Sequence, residues 1–138
     1  MKITRRYRFS ASHRLHAPSL SDEQNAELYG RCNNPFGHGH DYLIEVQADG
    51  PLDLRTGLVI DHGKMDRIVH FAVVDAFDHR NLNTDVPEFR NTVPTTENLA
   101  VEIGRRLQNA WREDFGDSPV LRRIRVHETR RNIFELSL

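Results

Sequence analysis

The chain has 138 residues, of which 38% are hydrophobic and 28% charged, and a formal net charge of −1. That length fits one domain around one core of moderate size, and the composition excludes a disordered chain. The balanced charge gives no overall case for nucleic-acid binding. The single cysteine, Cys32, rules out an internal disulfide and points to a reducing, cytoplasmic setting. The N-terminal "MKITRRYRFS" lacks the apolar core of a signal peptide. The longest apolar run, "FAVV", is far too short to span a membrane.

No repeat, low-complexity tract or linker divides residues 1–138, so a single domain is expected. Residues 2–15 alternate. Ile3, Tyr7, Phe9, Ala11, His13 and Leu15 share one parity, and Thr4, Arg6, Arg8, Ser10 and Ser12 the other. This predicts a half-buried strand with a polar, basic outer face. Residues 16–37, rich in Ser, Asn, Asp, Pro and Gly, read as a long loop of the kind that carries function. Residues 38–49 alternate again, with His38, His40, Tyr42, Ile44, Val46 and Ala48 on one side. "DGPLDLRTG" is turn chemistry. Met65, Ile68, Val69, Ala72, Val73 and Ala76 keep helical spacing over 64–77. "FDHRNLNTDVPEF" reads as a second loop.

"PTTEN" opens another helix, with Thr95 as N-cap and Glu97 in the first turn. Leu99, Ile103, Leu107 and Trp111 form its stripe. Residues 121–129 and 132–138 read as a strand pair joined at "TRRN". Grouped strands, rather than strands alternating with helices, predict an α+β domain: an antiparallel sheet with helices on one face.

The stretch "RCNNPFGHGHDY" raises a chemical question. His38 and His40 are two apart on a predicted strand, so both imidazoles point the same way. His13 falls on the apolar parity of the first strand, so three imidazoles can meet on one face. Three histidines with an open fourth position are what a catalytic Zn²⁺ uses. Gly37 and Gly39 allow the backbone to bend there. Taken alone, His-x-His is weak and His13 reads equally as a core histidine. Cys32 reads either as a small buried hydrophobe or as a thiolate favoured by Arg31 and a nearby metal. Glu128 ends an apolar strand face and needs a partner: water at the rim, or a ligand offering paired N–H donors. Asp78 and His79 read either as ordinary helix-end residues or as an acid/base pair.

Together, "FSASHRLH", "CNNPFGHGHDY", "FDHRNLN", "VPTTENLA" and "VHETRRN" occur in the order found in the 6-pyruvoyl-tetrahydropterin synthases. The chain resembles that family, and the related 6-carboxytetrahydropterin synthases, over about residues 7–134. The resemblance implies a zinc-dependent lyase that converts 7,8-dihydroneopterin triphosphate to 6-pyruvoyl-tetrahydropterin, eliminating triphosphate, in tetrahydrobiopterin biosynthesis. It implies His13, His38 and His40 as zinc ligands and Cys32, Asp78 and His79 as catalytic residues. Glu128 would anchor the pterin, helped by Thr95, Thr96 and Glu97. It also implies the tunnelling fold: a four-stranded antiparallel sheet with two helices on one face. Three sheets would join into a barrel, and two trimers would stack into a hexamer with active sites at subunit interfaces. Arg6, Arg8, Arg123 and Arg125 would then line the barrel. No nucleic-acid or membrane partner is expected.

Two positions depart from the family pattern. Asp41 stands where Asn is usual, and Phe36 is bulkier than expected and could reshape the pocket beside Cys32. The five residues between Cys32 and His38 favour the pyruvoyl-forming enzymes. The alternative is a 6-carboxy-5,6,7,8-tetrahydropterin synthase of the queuosine pathway, releasing acetaldehyde from the same substrate. More distant alternatives are a three-histidine zinc hydrolase, which would not need Cys32, and a non-catalytic zinc- or pterin-binding module.

Overall fold

The computed structural model describes residues 1–138. Two long strands form its centre. β1 (Lys2–His13) pairs antiparallel with β2 (His38–Asp49) along its whole length. Their alternation is that predicted: Tyr7, Phe9, Ala11 and His13 are buried on β1, and Tyr42, Ile44, Val46 and Ala48 on β2. Arg6 and Arg8 point out of the opposite face. The registry of this pair fixes where the histidines meet. His13 stands directly opposite His38, and Ala11 opposite His40, so the imidazoles of both strands project from one patch of one face.

The other strands complete a five-stranded sheet of order β3-β1-β2-β4-β5. β4 (Val120–His127) and β5 (Ile133–Ser137) are the predicted C-terminal pair, both antiparallel. The expected four strands are therefore present. The fifth, β3 (Arg80–Asn81), is a correction: two residues that pair parallel with Ala11 and Ser12 at the edge. So short a strand leaves no alternation to read.

Helices cover the apolar face. α1 (Asp22–Tyr29) corrects the reading of residues 16–37 as loop. Its polar sequence hides it, but Ser21 and Gln24 form a reciprocal capping box, and buried Asn25 hydrogen-bonds the backbone of Ala17, Leu20 and Ser21. The predicted helix over 64–77 is α2 (His62–Val69), a π-helical turn (His70–Val74) and α3 (Asp75–Phe77). The wider turn shifts the helical register, so Ala72, Val73 and Val74 are all buried where a regular stripe would turn one away. The predicted loop after it holds β3, α4 (Leu82–Asp85) and a 3₁₀ turn.

α5 (Thr96–Phe115) starts where predicted, with Thr95 accepting from the Asn98 N–H. Leu99, Ile103, Leu107 and Trp111 are buried against the sheet. The resulting core is one cluster of 26 residues between sheet and helices. The open face of the sheet carries charge. Glu45, nearly buried there, pairs with Arg6, and Glu135 pairs with Arg123 and Arg125. No helix is long and apolar enough to cross a membrane.

Candidate active site

At one end of the covered face, β1, β2 and the segment leading into β2 bring four metal-capable side chains together. One nitrogen each from His13, His38 and His40, with Sγ of Cys32, all lie within 4.8 Å of one another. The rings pack edge and face: His38 and His40 centroids are 4.6 Å apart, and those of His13 and His40 5.0 Å. The chain positions each member by backbone chemistry. Gly37 has φ +69°, and a Cβ there would sit 2.5 Å from the carbonyl oxygen of His13, so only glycine fits. Gly39 has no such need; a Cβ there meets only ordinary contact. Cys32 is tied to β1 because its carbonyl accepts from the Leu15 N–H at 2.7 Å. The Asn33 amide donates to the Leu15 carbonyl at 2.8 Å.

His13, 1% exposed, donates from Nδ1 to the carbonyl of Pro94 at 2.9 Å. Its lone pair therefore lies on Nε2. That atom and Nε2 of His38 and His40 are buried without a hydrogen-bond partner. A buried, unpaired acceptor is costly, and three aimed at one locality fit a bound cation. Burial holds His13 and His40 below the usual imidazole range, which keeps them neutral and able to ligate. Imidazole and thiol donors are the set that suits zinc.

Glu128 lies against this cluster, with Oε1 3.6 Å from Nε2 of His40 and 4.0 Å from Nε2 of His13. The Thr96 hydroxyl donates to Oε1 at 2.8 Å and the Asn132 amide to Oε2 at 3.2 Å. Burial pushes the Glu128 carboxyl up, but the hydrogen bonds from Thr96 and then Asn132 act against it, and the group is held below its usual range. Of the three residues expected to help Glu128, only Thr96 touches it; Thr95 caps α5 and Glu97 is exposed in its first turn. Burial first, then the charge of Glu128, pushes the Cys32 thiol up. Phe36 is 95% exposed at the tip of its turn and does not fill the space beside Cys32. Asp41 accepts from the Ser10 hydroxyl on the open face.

The Asp78–His79 pair is formed, with His79 Nδ1 2.9 Å from Asp78 Oδ2, and neither residue is among the four clustered donors. Asp78 Oδ1 accepts from the Ser10 N–H at 2.9 Å, and the His79 N–H donates to the Ser10 carbonyl at 2.7 Å. These bonds hold His79 at φ +57°, a backbone conformation uncommon outside glycine. The Ser10 N–H, followed by His79, holds the Asp78 carboxyl below its usual range. The imidazole is 84% exposed and faces a polar groove lined also by Ser10, Ser12, His40, Asp41, Arg80 and Asp85, so the groove reaches His40 of the cluster.

The sequence reading missed Tyr42, Asn33, Pro94 and Asn132. Tyr42 shares the parity of His38 and His40, the one signal available for it. It is fully buried, stacks on Phe9 and brings its hydroxyl to 3.5 Å from His13 Nδ1.

The family model described as 6-pyruvoyl tetrahydropterin synthase matches residues 2–137. The chain belongs to this family. It is 45% identical over 131 residues to the 6-pyruvoyl tetrahydrobiopterin synthase of Poecilia reticulata, covering 95% of this chain and 86% of that one. The solved 6-pyruvoyl tetrahydropterin synthase of Caenorhabditis elegans superposes with a TM-score of 0.88 at 38% identity, covering 99% of this chain and 94% of that one. A 6-carboxy-5,6,7,8-tetrahydropterin synthase of Rickettsia conorii is more distant, 27% identical over 75% of this chain and 77% of its own.

Proposed function

We propose that this protein is a lyase that converts 7,8-dihydroneopterin triphosphate to 6-pyruvoyl-tetrahydropterin, with elimination of triphosphate and no attack by water. The observation that carries this reading is the convergence of three unpaired imidazole nitrogens, a free thiol and a held carboxylate at one spot.

His13, His38 and His40 would hold a Zn²⁺ ion. Bound there, zinc would supply Lewis acidity, lowering the pKa of hydroxyls on the substrate's side chain. Glu128, oriented by Thr96 and Asn132, would accept from the two adjacent N–H donors of the aminopyrimidine edge, the geometry a carboxylate matches best. Fixing that edge fixes where the side chain meets Cys32. Cys32, as thiolate, would take a proton from a side-chain carbon, and His79, oriented by Asp78, would carry the other proton. Because His79 is exposed and outside the cluster, the full site would need a second copy of the chain. This fits a homo-oligomer, a hexamer of two trimers whose sheets would join through the charged open face. The lone free cysteine fits action in the cytoplasm.

The test is incubation of zinc-loaded protein with 7,8-dihydroneopterin triphosphate under reducing conditions, read by mass spectrometry. A pyruvoyl product with triphosphate is expected. A carboxy product with acetaldehyde would instead make it the sister enzyme, a reading the lower identity to the carboxy-forming relative disfavours. No release of triphosphate would overturn the lyase reading.

A further inference from the structure

Cys32 stands among the imidazoles, not outside them. Its Sγ is one of four donor atoms that all lie within 4.8 Å of each other. In a tetrahedral zinc site, with bonds of about 2.0–2.1 Å to nitrogen and about 2.3 Å to sulfur, donor atoms are about 3.4 Å apart for two nitrogens and about 3.6 Å apart for nitrogen and sulfur. The widest separation here therefore has to close by little more than about 1 Å, shared between two side chains. A second observation points independently to a ligand at the same place. His13, 1% exposed, presents Nε2 with no hydrogen-bond partner, and so do the buried Nε2 atoms of His38 and His40.

Glu128 is the competing fourth donor, 3.6 Å from His40 Nε2. Each of its oxygens already accepts one hydrogen bond, from Thr96 and from Asn132, and on the proposed reading the remaining lone pairs are kept for the pterin edge. Cys32 is a free thiol whose backbone is pinned to the end of β1 by Leu15. Sulfur is also the better donor to zinc beside imidazoles.

Resting on the three-histidine reading, we propose that Cys32 Sγ is the fourth ligand of the metal in the substrate-free protein, closing a His₃Cys tetrahedron. The S–H bond breaks as the sulfur–metal bond forms, and the proton passes to solvent; nothing is oxidised or reduced. Hydroxyls of an arriving substrate then compete with the sulfur for that position. The thiolate is freed only when substrate is in place, and between turnovers the metal shields it.

Cobalt(II) in place of zinc gives the test, because a sulfur-to-cobalt charge-transfer band in the near ultraviolet reports the bond directly. The full chain and its Cys32→Ala variant are loaded with Co²⁺, and metal content and absorption are recorded together. Stoichiometric cobalt in both is expected, with the band in the parent protein and its loss in Cys32→Ala. Addition of 7,8-dihydroneopterin to the parent protein is expected to abolish the band; its persistence would overturn the displacement. Stoichiometric cobalt without the band in the parent protein would overturn the inference and leave the three-histidine site standing. Failure of the parent protein to bind either cobalt or zinc would overturn the three-histidine reading as well.

Discussion

The hydrogen bond from His13 Nδ1 to Pro94 decides which nitrogen of that ring faces the cluster. Comparable single contacts set the roles of its neighbours. On the proposed reading, in which three histidines hold the metal and Cys32 carries the proton, the two kinds of residue separate in one comparison. His38→Ala is expected to lose bound zinc by metal analysis. Cys32→Ala is expected to retain it while turnover falls by about 100-fold or more, the usual scale for a lost acid/base group. Thr96 acts through Glu128, to which it donates at 2.8 Å. Thr96→Val removes that donor from a half-buried carboxylate, a change worth about 1.5–3 kcal/mol. The expected result is a rise in KM of about tenfold or more with a smaller change in kcat, recovered by Thr96→Ser. An equal fall in stability and activity, not recovered by serine, would mean that Thr96 serves only the fold.

Elements set these contacts by registry. β1 and β2 place His13 opposite His38 with His40 beside them, and the turn that enters β2 must pass close to His13. Gly37 makes that passage possible. Gly37→Ala is expected to lower the midpoint of thermal unfolding and to weaken zinc binding in chelator competition, because its Cβ would displace the His13 carbonyl. Gly39→Ala, with open contact only, is expected to do neither. α5 matters in the same way. Its N-terminus brings Pro94 to His13 and Thr96 to Glu128, so one capped turn serves both the imidazole and the carboxylate.

The whole molecule contributes acid sensitivity and, on the proposed reading, completion of the site. Glu102 on α5 is nearly buried and accepts from Arg105 and Arg106. Burial pushes its carboxyl up, but the two guanidinium groups outweigh that and hold it below its usual range. A folded pKa below the unfolded value of about 4.3 means that the unfolded chain binds more protons in acid. The stabilisation is therefore present above about pH 4.3 and is lost as pH falls through the folded value. Denaturant titrations between about pH 6 and pH 3 are expected to show that Glu102→Gln removes part of this acid loss. Completion of the site by a second copy is tested by complementation. Cys32→Ala and His79→Ala, each inactive alone, are expected to regain activity when co-refolded into mixed oligomers. Persistent inactivity would mean that Cys32 and His79 act from the same chain and would overturn completion by a second copy; full activity of His79→Ala alone would place His79 outside the reaction.

Periodicity carried much of the fold. The alternation of β1 and β2, the stripe of α5 and the cap at Thr95 are local consequences of residue type, and each is found where the pattern set it. The parity shared by His13, His38 and His40 was likewise enough to put three imidazoles on one face, and five ordered motifs were enough to indicate the family. α1 escaped because its stability comes from a capping box and the bonds of buried Asn25, not from an apolar stripe. β3 escaped because two residues show no period. Only the tertiary structure decided that Glu128, held by Thr96, meets the histidines, that Cys32 sits within the donor set, and that Asp78 and His79 do not. Those distances depend on strand register and on where α5 docks, and side chains far apart in sequence become neighbours only when the packed core sets both.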